Sequence, residues 1–474
     1  MEKEKINQEF RIEEDSLGKL KIPKDTYWGI HTQRALDNFK FSNYKIPFIL
    51  IKAYAYVKLA CAKANYKLGY LKKDKFKAIE QACKDIIDGK LKDAFPLDPF
   101  QGGAGTSLNM NLNEVIANRA LEILGYEKGR YDIIHPLKHV NLHQSTNDTF
   151  PTALKIAVLF LLEKLQDKIA KLQGAFQKKE KEFSDILKLG YTELQEAIPM
   201  TLGKKFSAFA DVLLRDRWRI WKAKERIRWT NLGGTAIGTG ALAPKDYIFL
   251  VNEILREITN LNLARHENPV STTAFLDDIN EVVGLLDVYA SNINKIFNDL
   301  RLLNFIKEIK LPSLQAGSSI MPGKVNPVLC EAAIQIATRV KSNSLSIREL
   351  LSFSTFEIVE FLPAIAFFII ESLELLTNLT EKLIFYVENI KVGDLSEENV
   401  FKSFSCLTLL VPILGYEETL KLVKEYKHSK FKNIKEFLEY KFGKEFTKKL
   451  LSKKYILSLG FDKKIFESFE EKNE

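Results

Sequence analysis

Apolar residues recur along most of this chain at intervals of three and four, the spacing that gathers them on one face of a helix instead of alternating them across a strand. The clearest run is Val158, Leu162, Leu165, Ile169, Leu172 and Phe176, which predicts a long helix packed in a bundle. The same reading predicts helices over about 47–68, 75–89, 108–124 and 206–229, then about 245–260, 275–305, 328–352 and 356–390. Strand-like alternation is scarce, and no internal repeat or low-complexity segment is visible. Residues 11–39 and 190–195 read as irregular connections. Beyond Val392-Gly393-Asp394 the helices shorten and lysine accumulates, as in a small separate domain with a solvated charged face. The expected class is all-α, divided into an N-terminal helical domain (1–144), a central long-helix bundle (145–393) and a small C-terminal helical domain (394–474).

Composition narrows the partners. The 474 residues suffice for two or three domains, and 46% hydrophobic with 28% charged residues describes a globular chain. The net charge of +9 is spread through interspersed lysine and glutamate, which reads as a solvated surface with a mild attraction for anionic substrates and no nucleic-acid partner. Cys61, Cys83, Cys330 and Cys406 lie far apart, so no zinc site or disulfide framework is expected, and a reduced cytoplasm fits. The charged start, Met1-Glu2-Lys3-Glu4-Lys5, has no apolar segment behind it to direct export. The longest apolar run, Phe361 to Ile370, is bounded by Glu360 and Glu371; it is too short to span a bilayer and reads as a buried helix segment, with no membrane partner.

One stretch has neither helical nor strand periodicity: Gly317-Ser318-Ser319-Ile320-Met321-Pro322-Gly323-Lys324-Val325-Asn326-Pro327. Asn326 is a good N-cap and Pro327 a good first helical residue, so a helix is expected to begin there, with Lys324 and Asn326 at an end that favours anions. The glycines and polarity suggest a mobile lid. A Walker A loop is excluded, because five residues separate Gly317 from Gly323-Lys324 and Val325 follows. Three other polar segments precede helices: Gly105-Thr106-Ser107, Ser145-Thr146-Asn147 and Thr192-Glu193. Singly each is an N-cap cluster; together they form hydroxyl-rich helix starts suited to a small polyanion. No metal-ligand spacing or dinucleotide fingerprint appears, so no cofactor is expected.

These strings, in this order, resemble the fumarase/aspartase superfamily. The resemblance runs through Phe100 to Asn113, Gln144 to Thr152, Gly190 to Leu202, Leu232 to Gly240, Asn298 to Leu303 and Leu311 to Pro327. Gly102 to Ser107 and Leu311 to Gly317 are closer to its aspartase branch than to its fumarases. The resemblance implies a three-domain all-α fold whose central helices join a bundle of four subunits, with each active site built from three of them. It implies a dicarboxylate or amino-acid substrate and reversible deamination of L-aspartate to fumarate. Ser318 would be the base that takes the Cβ proton. Thr106, Ser145, Thr146 and the backbone of Ser319 would hold the β-carboxylate; Lys324, Asn326 and Thr192 would hold the α-carboxylate, and Asn147 the departing amine.

The chain departs from the family pattern in places. Tyr191 stands where relatives have arginine, and Glu193 where they have histidine or glutamine, so Glu193 is expected to face the leaving group. After Leu303 a Ser-Gly-Pro-Arg segment is missing and the connection to Leu311 is shorter. Val411 stands where an asparagine is expected. Hydration of fumarate, with water in place of ammonia, is one alternative activity; a non-catalytic homologue that keeps only the bundle is another. His31, His139 and His143 are alternative bases.

Overall fold

The computed structural model describes residues 9–458 and residue 460. The hairpin β1 (Phe10–Asp15) and β2 (Gly18–Pro23) leads to α1 (Ile30–Asn38), α2 (Phe48–Lys67), α3 (Lys73–Ile87) and α4 (Thr106–Ile123). The long α5 (Thr146–Glu182) precedes a second hairpin, β3 (Leu187–Thr192) and β4 (Gln195–Thr201), and then α6 (Leu202–Ile227). Next come β5 (Trp229–Thr230), α7 (Lys245–Thr259), β6 (Ala264–Arg265), α8 (Pro269–Ala274), α9 (Asp277–Phe305) and β7 (Ile309–Lys310). After the glycine–serine loop stand α10 (Val328–Ser352), α11 (Leu362–Glu388) and β8 (Lys391–Val392). Short helices from α12 (Glu397–Val400) to α17 (Lys453–Ile456) end the described chain.

The expected helical class holds: the strands are short and pair only in twos. Two segments read as irregular are nevertheless hairpins. Residues 10–23 showed no apolar alternation because, along both strands, only Glu13 and Ile22 are buried. Arg11 ties that hairpin down instead, with its guanidinium donating to the carbonyl oxygens of Pro23, Lys24, Thr26 and Trp28. The predicted helix over 275–305 is α9, and the short α8 just before it was not foreseen. The one predicted from 356 begins only at Leu362, where Pro363, with no N–H to donate, is tolerated in the first turn. Helix α11 is long and apolar enough to cross a membrane by length and composition, and 67% of its most apolar window is buried within the chain.

The chain falls into two compact units, each drawn from separated segments. One takes the chain through Gln166 with Trp218–Ala290 and Ile336–Asn378; the other takes Asp167–Arg217, Ser291–Gln335 and the chain from Leu379. In the first unit, α2 is buried almost all round, and Ala53, Ala55, Ala60, Ala62 and Ala64 let α3 and α7 pack closely against it. Helix α7 turns Tyr247, Val251, Ile254 and Leu255 inward, the spacing of one helix face.

In the second unit, Phe176 of α5 and Phe183 just after it meet Phe206 of α6, the latter pair edge to face with ring centres 5.1 Å apart. Lys205 of α6 pairs with Asp299 of α9 at 2.7 Å. Leu187 and Leu189 of β3 share a core with Cys406, Leu407, Leu410, Phe437, Leu438 and Leu450, so the second hairpin rests on the C-terminal helices. Helix α9 ends in a Schellman motif: Glu308 N–H donates to Leu303 O at 2.9 Å and Lys307 N–H to Asn304 O at 3.1 Å, with Lys307 at φ 63°. That tight stop leads directly into β7, which pairs with β8 and leaves no room for the missing Ser-Gly-Pro-Arg segment.

Candidate active site

The glycine-rich loop before α4 puts Gly103, Ala104 and Gly105 in succession at φ 80°, 55° and 84°. Gly105 is required twice over, by its left-handed backbone and because a Cβ there would stand 2.4 Å from the Phe150 ring. This turn delivers Thr106 to the first position of α4, with its N–H donating to Gly103 O and its side chain exposed. One turn on, Asn109 donates from Nδ2 to the Thr146 hydroxyl at 2.9 Å, so two of the expected substrate hydroxyls are tied to one helix end.

Asn109 is held from below by a residue that sequence reading missed. Lys58, fully buried in α2, donates to Asn109 Oδ1 at 2.6 Å, Asn141 Oδ1 at 3.0 Å and Gln144 Oε1 at 2.9 Å. Burial lowers its pKa to about 8. The asparagines of α4, odd for a plain structural helix, are thus scaffold: Asn111 donates to Ala94 O and Asn113 to Asn141. Lys58 as the one charge between Ala53 and Ala62 of α2 was the available signal.

Asp148 is the second missed residue. Wholly buried, it accepts the backbone N–H groups of Ser145 at 3.0 Å, Gly233 at 3.2 Å and Thr235 at 3.0 Å. It joins the start of α5 to the second glycine-rich turn. Desolvation raises its pKa to about 7, and the three N–H groups oppose that shift by favouring the carboxylate. Asn147 crosses the same junction, donating from Nδ2 to Ala236 O at 2.7 Å. The orientation of Ser145, Thr146 and Asn147 is therefore set by buried polar contacts.

Thr192 and Glu193 lie at the exposed tip of hairpin β3–β4. Thr192 pairs with Gln195, and the two residues between them, Glu193 and Leu194, have φ 50° and 62°, the positive pair of a two-residue hairpin turn. The irregular reading failed because neither residue is the glycine or asparagine that usually marks such a turn.

The signature loop is closed at its base. Gly317 N–H donates to Lys324 O at 2.7 Å and Asn326 Nδ2 donates to Gly317 O at 2.9 Å. Asn326 was expected to cap α10 and Pro327 to open it; the Asn326 side chain instead holds the loop shut, and the helix runs from Val328 to Ser352, the predicted 328–352. A Cβ on Gly317 would sit 2.8 Å from Lys324 O. Ser318 is half-buried, and its Oγ accepts the backbone N–H groups of Met321 at 2.9 Å and Ile320 at 3.2 Å. Ser319 and Lys324 are exposed, beside Ile320 and Met321.

The structure thus gathers Thr106, Ser145, Thr146 and Asn147 in one unit, and Ser318, Ser319, Lys324 and Asn326 on one loop of the other. Among the described residues no hydrogen bond joins Thr192 or Glu193 to that loop. Two of the histidines are engaged elsewhere: His143 with Asn65 at 2.7 Å, and His139 with Lys75 at 2.9 Å, its pKa lowered to about 4 by burial and the lysine charge. The His31 backbone is held by Glu114 at 2.8 Å. Among the described residues no three His, Cys, Asp or Glu side chains cluster as a metal site would need.

A family model described as lyase matches residues 18–342. Aspartate ammonia-lyase of a Bacillus species is 43% identical over 430 residues, 89% of this chain and 91% of the relative. Its Escherichia coli K12 counterpart is 42% identical over 423 residues, 87% of this chain and 88% of that protein. Among solved structures, a fumarate lyase:delta crystallin from Brucella melitensis superposes with a TM-score of 0.89 at 40% identity, covering 94% of this chain and 98% of that one. A class II fumarase from Schistosoma mansoni gives 0.88 at 29% identity, with the same coverage. With its helical fold, its ordered site strings and these relatives together, the chain belongs to the fumarase/aspartase superfamily of lyases.

Proposed function

We infer that this protein is a carbon–nitrogen lyase that converts L-aspartate reversibly to fumarate and ammonia. The observation that carries the chemistry is the pair of backbone N–H groups directed at Ser318 Oγ. A serine hydroxyl is a poor base in water, and hydrogen bonds to its oxygen strengthen when that oxygen becomes anionic. Ser318 as an alkoxide takes the Cβ proton, and the electron pair of that bond moves into the β-carboxylate to give an aci-carboxylate. Its return forms the Cα–Cβ double bond and expels the amine from Cα as ammonia. Thr106, Ser145, Thr146 and the Ser319 backbone stabilise the growing charge, where fixed donors count most. Lys324, Asn326 and Thr192 grip the α-carboxylate, Asn147 accepts from the amine, and Glu193 stands near the leaving group.

The residues lie on four separate segments, and this supports the further reading that the sites complete themselves between subunits of a homotetramer. Trp218 and Trp221 of α6 are exposed side by side, with ring centres 5.6 Å apart, and Leu345 and Phe353 are exposed on α10 and just after it; apolar surface of that kind favours association. The three-domain division, cytoplasmic residence and absence of nucleic-acid or membrane partners belong to the same reading. Purified protein should produce the ultraviolet absorbance of fumarate from aspartate and consume fumarate only with ammonium present. Production from malate but not aspartate would refute the assignment, and a monomer in light scattering at micromolar concentration would remove the shared sites.

A further inference from the structure

The register of hairpin β3–β4 breaks at Gly190, between Leu189 and Tyr191. In an unbroken strand Lys188 and Tyr191, three residues apart, would face opposite sides. Here Lys188 Nζ lies over the Tyr191 ring, 4.7 Å from its centre. The break needs a residue without a side chain, since a Cβ on Gly190 would come within 3.0 Å of the Ile198 carbonyl oxygen. Lys188 is enclosed, with 2% of its side chain exposed, and pairs with Glu308, 5% exposed, at 2.9 Å. It also donates to the Leu189 carbonyl, and the Tyr191 hydroxyl faces Glu308 from the other side of the break.

Glu308 is itself held by its backbone. Its N–H closes the Schellman motif of α9 and its carbonyl accepts from Gly393 N–H at 2.9 Å. Gly393 permits that approach, because a Cβ there would overlap the Lys307 carbonyl. Enclosing two charges costs desolvation that their attraction does not reliably offset, so stability is a weak reason for this pair. Geometry is a better one. We propose that Glu308 is a positioning residue for the hairpin tip: through Lys188 and Tyr191 it fixes both sides of the register break in β3, and with them the placement of Thr192 and Glu193. What the tip binds rests on the function proposed above; that Glu308 places it does not.

Two variants of the full chain test this. Tyr191→Phe removes the hydroxyl and keeps the ion pair, while Lys188→Met combined with Glu308→Leu removes both charges without stranding either. For each, KM and kcat for aspartate, the melting temperature and deuterium uptake by the amides of 190–196 are compared with wild type. In the double variant KM should rise about tenfold, the scale of one hydrogen bond to a charged group, with kcat within about twofold. Amide uptake at the tip should quicken while the melting temperature stays close to wild type; Tyr191→Phe should show the same pattern more weakly. A double variant that melts normally with unchanged KM and uptake overturns the proposal. Should it not fold, Tyr191→Phe decides by the same readings, unchanged KM and uptake overturning it. Should wild type not act on aspartate, the functional reading falls and uptake alone decides: faster exchange sustains the positioning role, unchanged exchange ends it.

Discussion

Asn147 donates its Nδ2 hydrogen to the carbonyl oxygen of Ala236 at 2.7 Å, which identifies the other amide atom, Oδ1, as the one left to receive a hydrogen bond. An acceptor held in place by a neighbouring turn suits an ammonium group and does nothing for a carboxylate. Asn147→Ala should therefore reduce kcat/KM for aspartate by about ten- to a hundredfold, the range for hydrogen bonds to charged groups. In the reverse direction the KM for ammonium should rise more than the KM for fumarate. Equal changes in the two would place Asn147 on the carboxylates.

Ser318 contributes only its oxygen to the loop, as an acceptor, while closure at the base depends on Gly317, Lys324 and Asn326. Ser318→Ala should leave the loop and the melting temperature intact while turnover falls by about two to four orders of magnitude, the scale of a lost general base. Near-normal turnover would assign the proton transfer to another group, with His31 the next to replace.

Glu193 sits at φ 50° on an exposed two-residue turn, so its carboxylate is not committed to the fold. It should attract the ammonium of aspartate and repel the two carboxylates of any substrate. Wild type should prefer an amine over a hydroxyl leaving group, and Glu193→Gln should lower KM for dicarboxylates while narrowing that preference. Unchanged kinetics with both aspartate and malate would show that Glu193 is only a surface residue.

Lys58 should leave a mark on the pH dependence of stability. Its folded pKa of about 8 lies below its ordinary value of 10.5, so between those limits the unfolded chain binds more protons and stability rises with pH. The stabilisation from this site is complete above about 10.5 and lost as pH falls through about 8, with an upper bound of about 3 kcal/mol. Denaturant melts of wild type and Lys58→Met from pH 7.5 to 10.5 should differ in slope, wild type rising more steeply. Parallel curves would mean that the three amide oxygens around Nζ keep Lys58 charged throughout.

By itself the sequence determined the helical class, the positions of most helices and the strings of candidate site residues. Long apolar stripes such as Val158 to Phe176 are local, periodic signals, and the hydroxyl-rich helix starts are contiguous in the chain. It also marked the departures at Tyr191 and Glu193 and the shortened connection before Leu311. Only the tertiary structure decided what those features do. The hairpin at 10–23 is held by Arg11 reaching four carbonyls, and no apolar alternation along its strands announces it. The turn at Glu193-Leu194 is imposed on residues with little liking for positive φ, because the strands beneath it pair and Leu187 and Leu189 are buried among the C-terminal helices. Asn326 closes a loop where its neighbours suggested a cap, because Gly317 O lies within reach and the chain must turn back between them. Lys58, Asp148 and Glu308 act across chain separations that periodicity cannot see: each was one charge in an ordinary-looking segment until folding enclosed it, and a buried charge has to find its partners wherever the fold brings them.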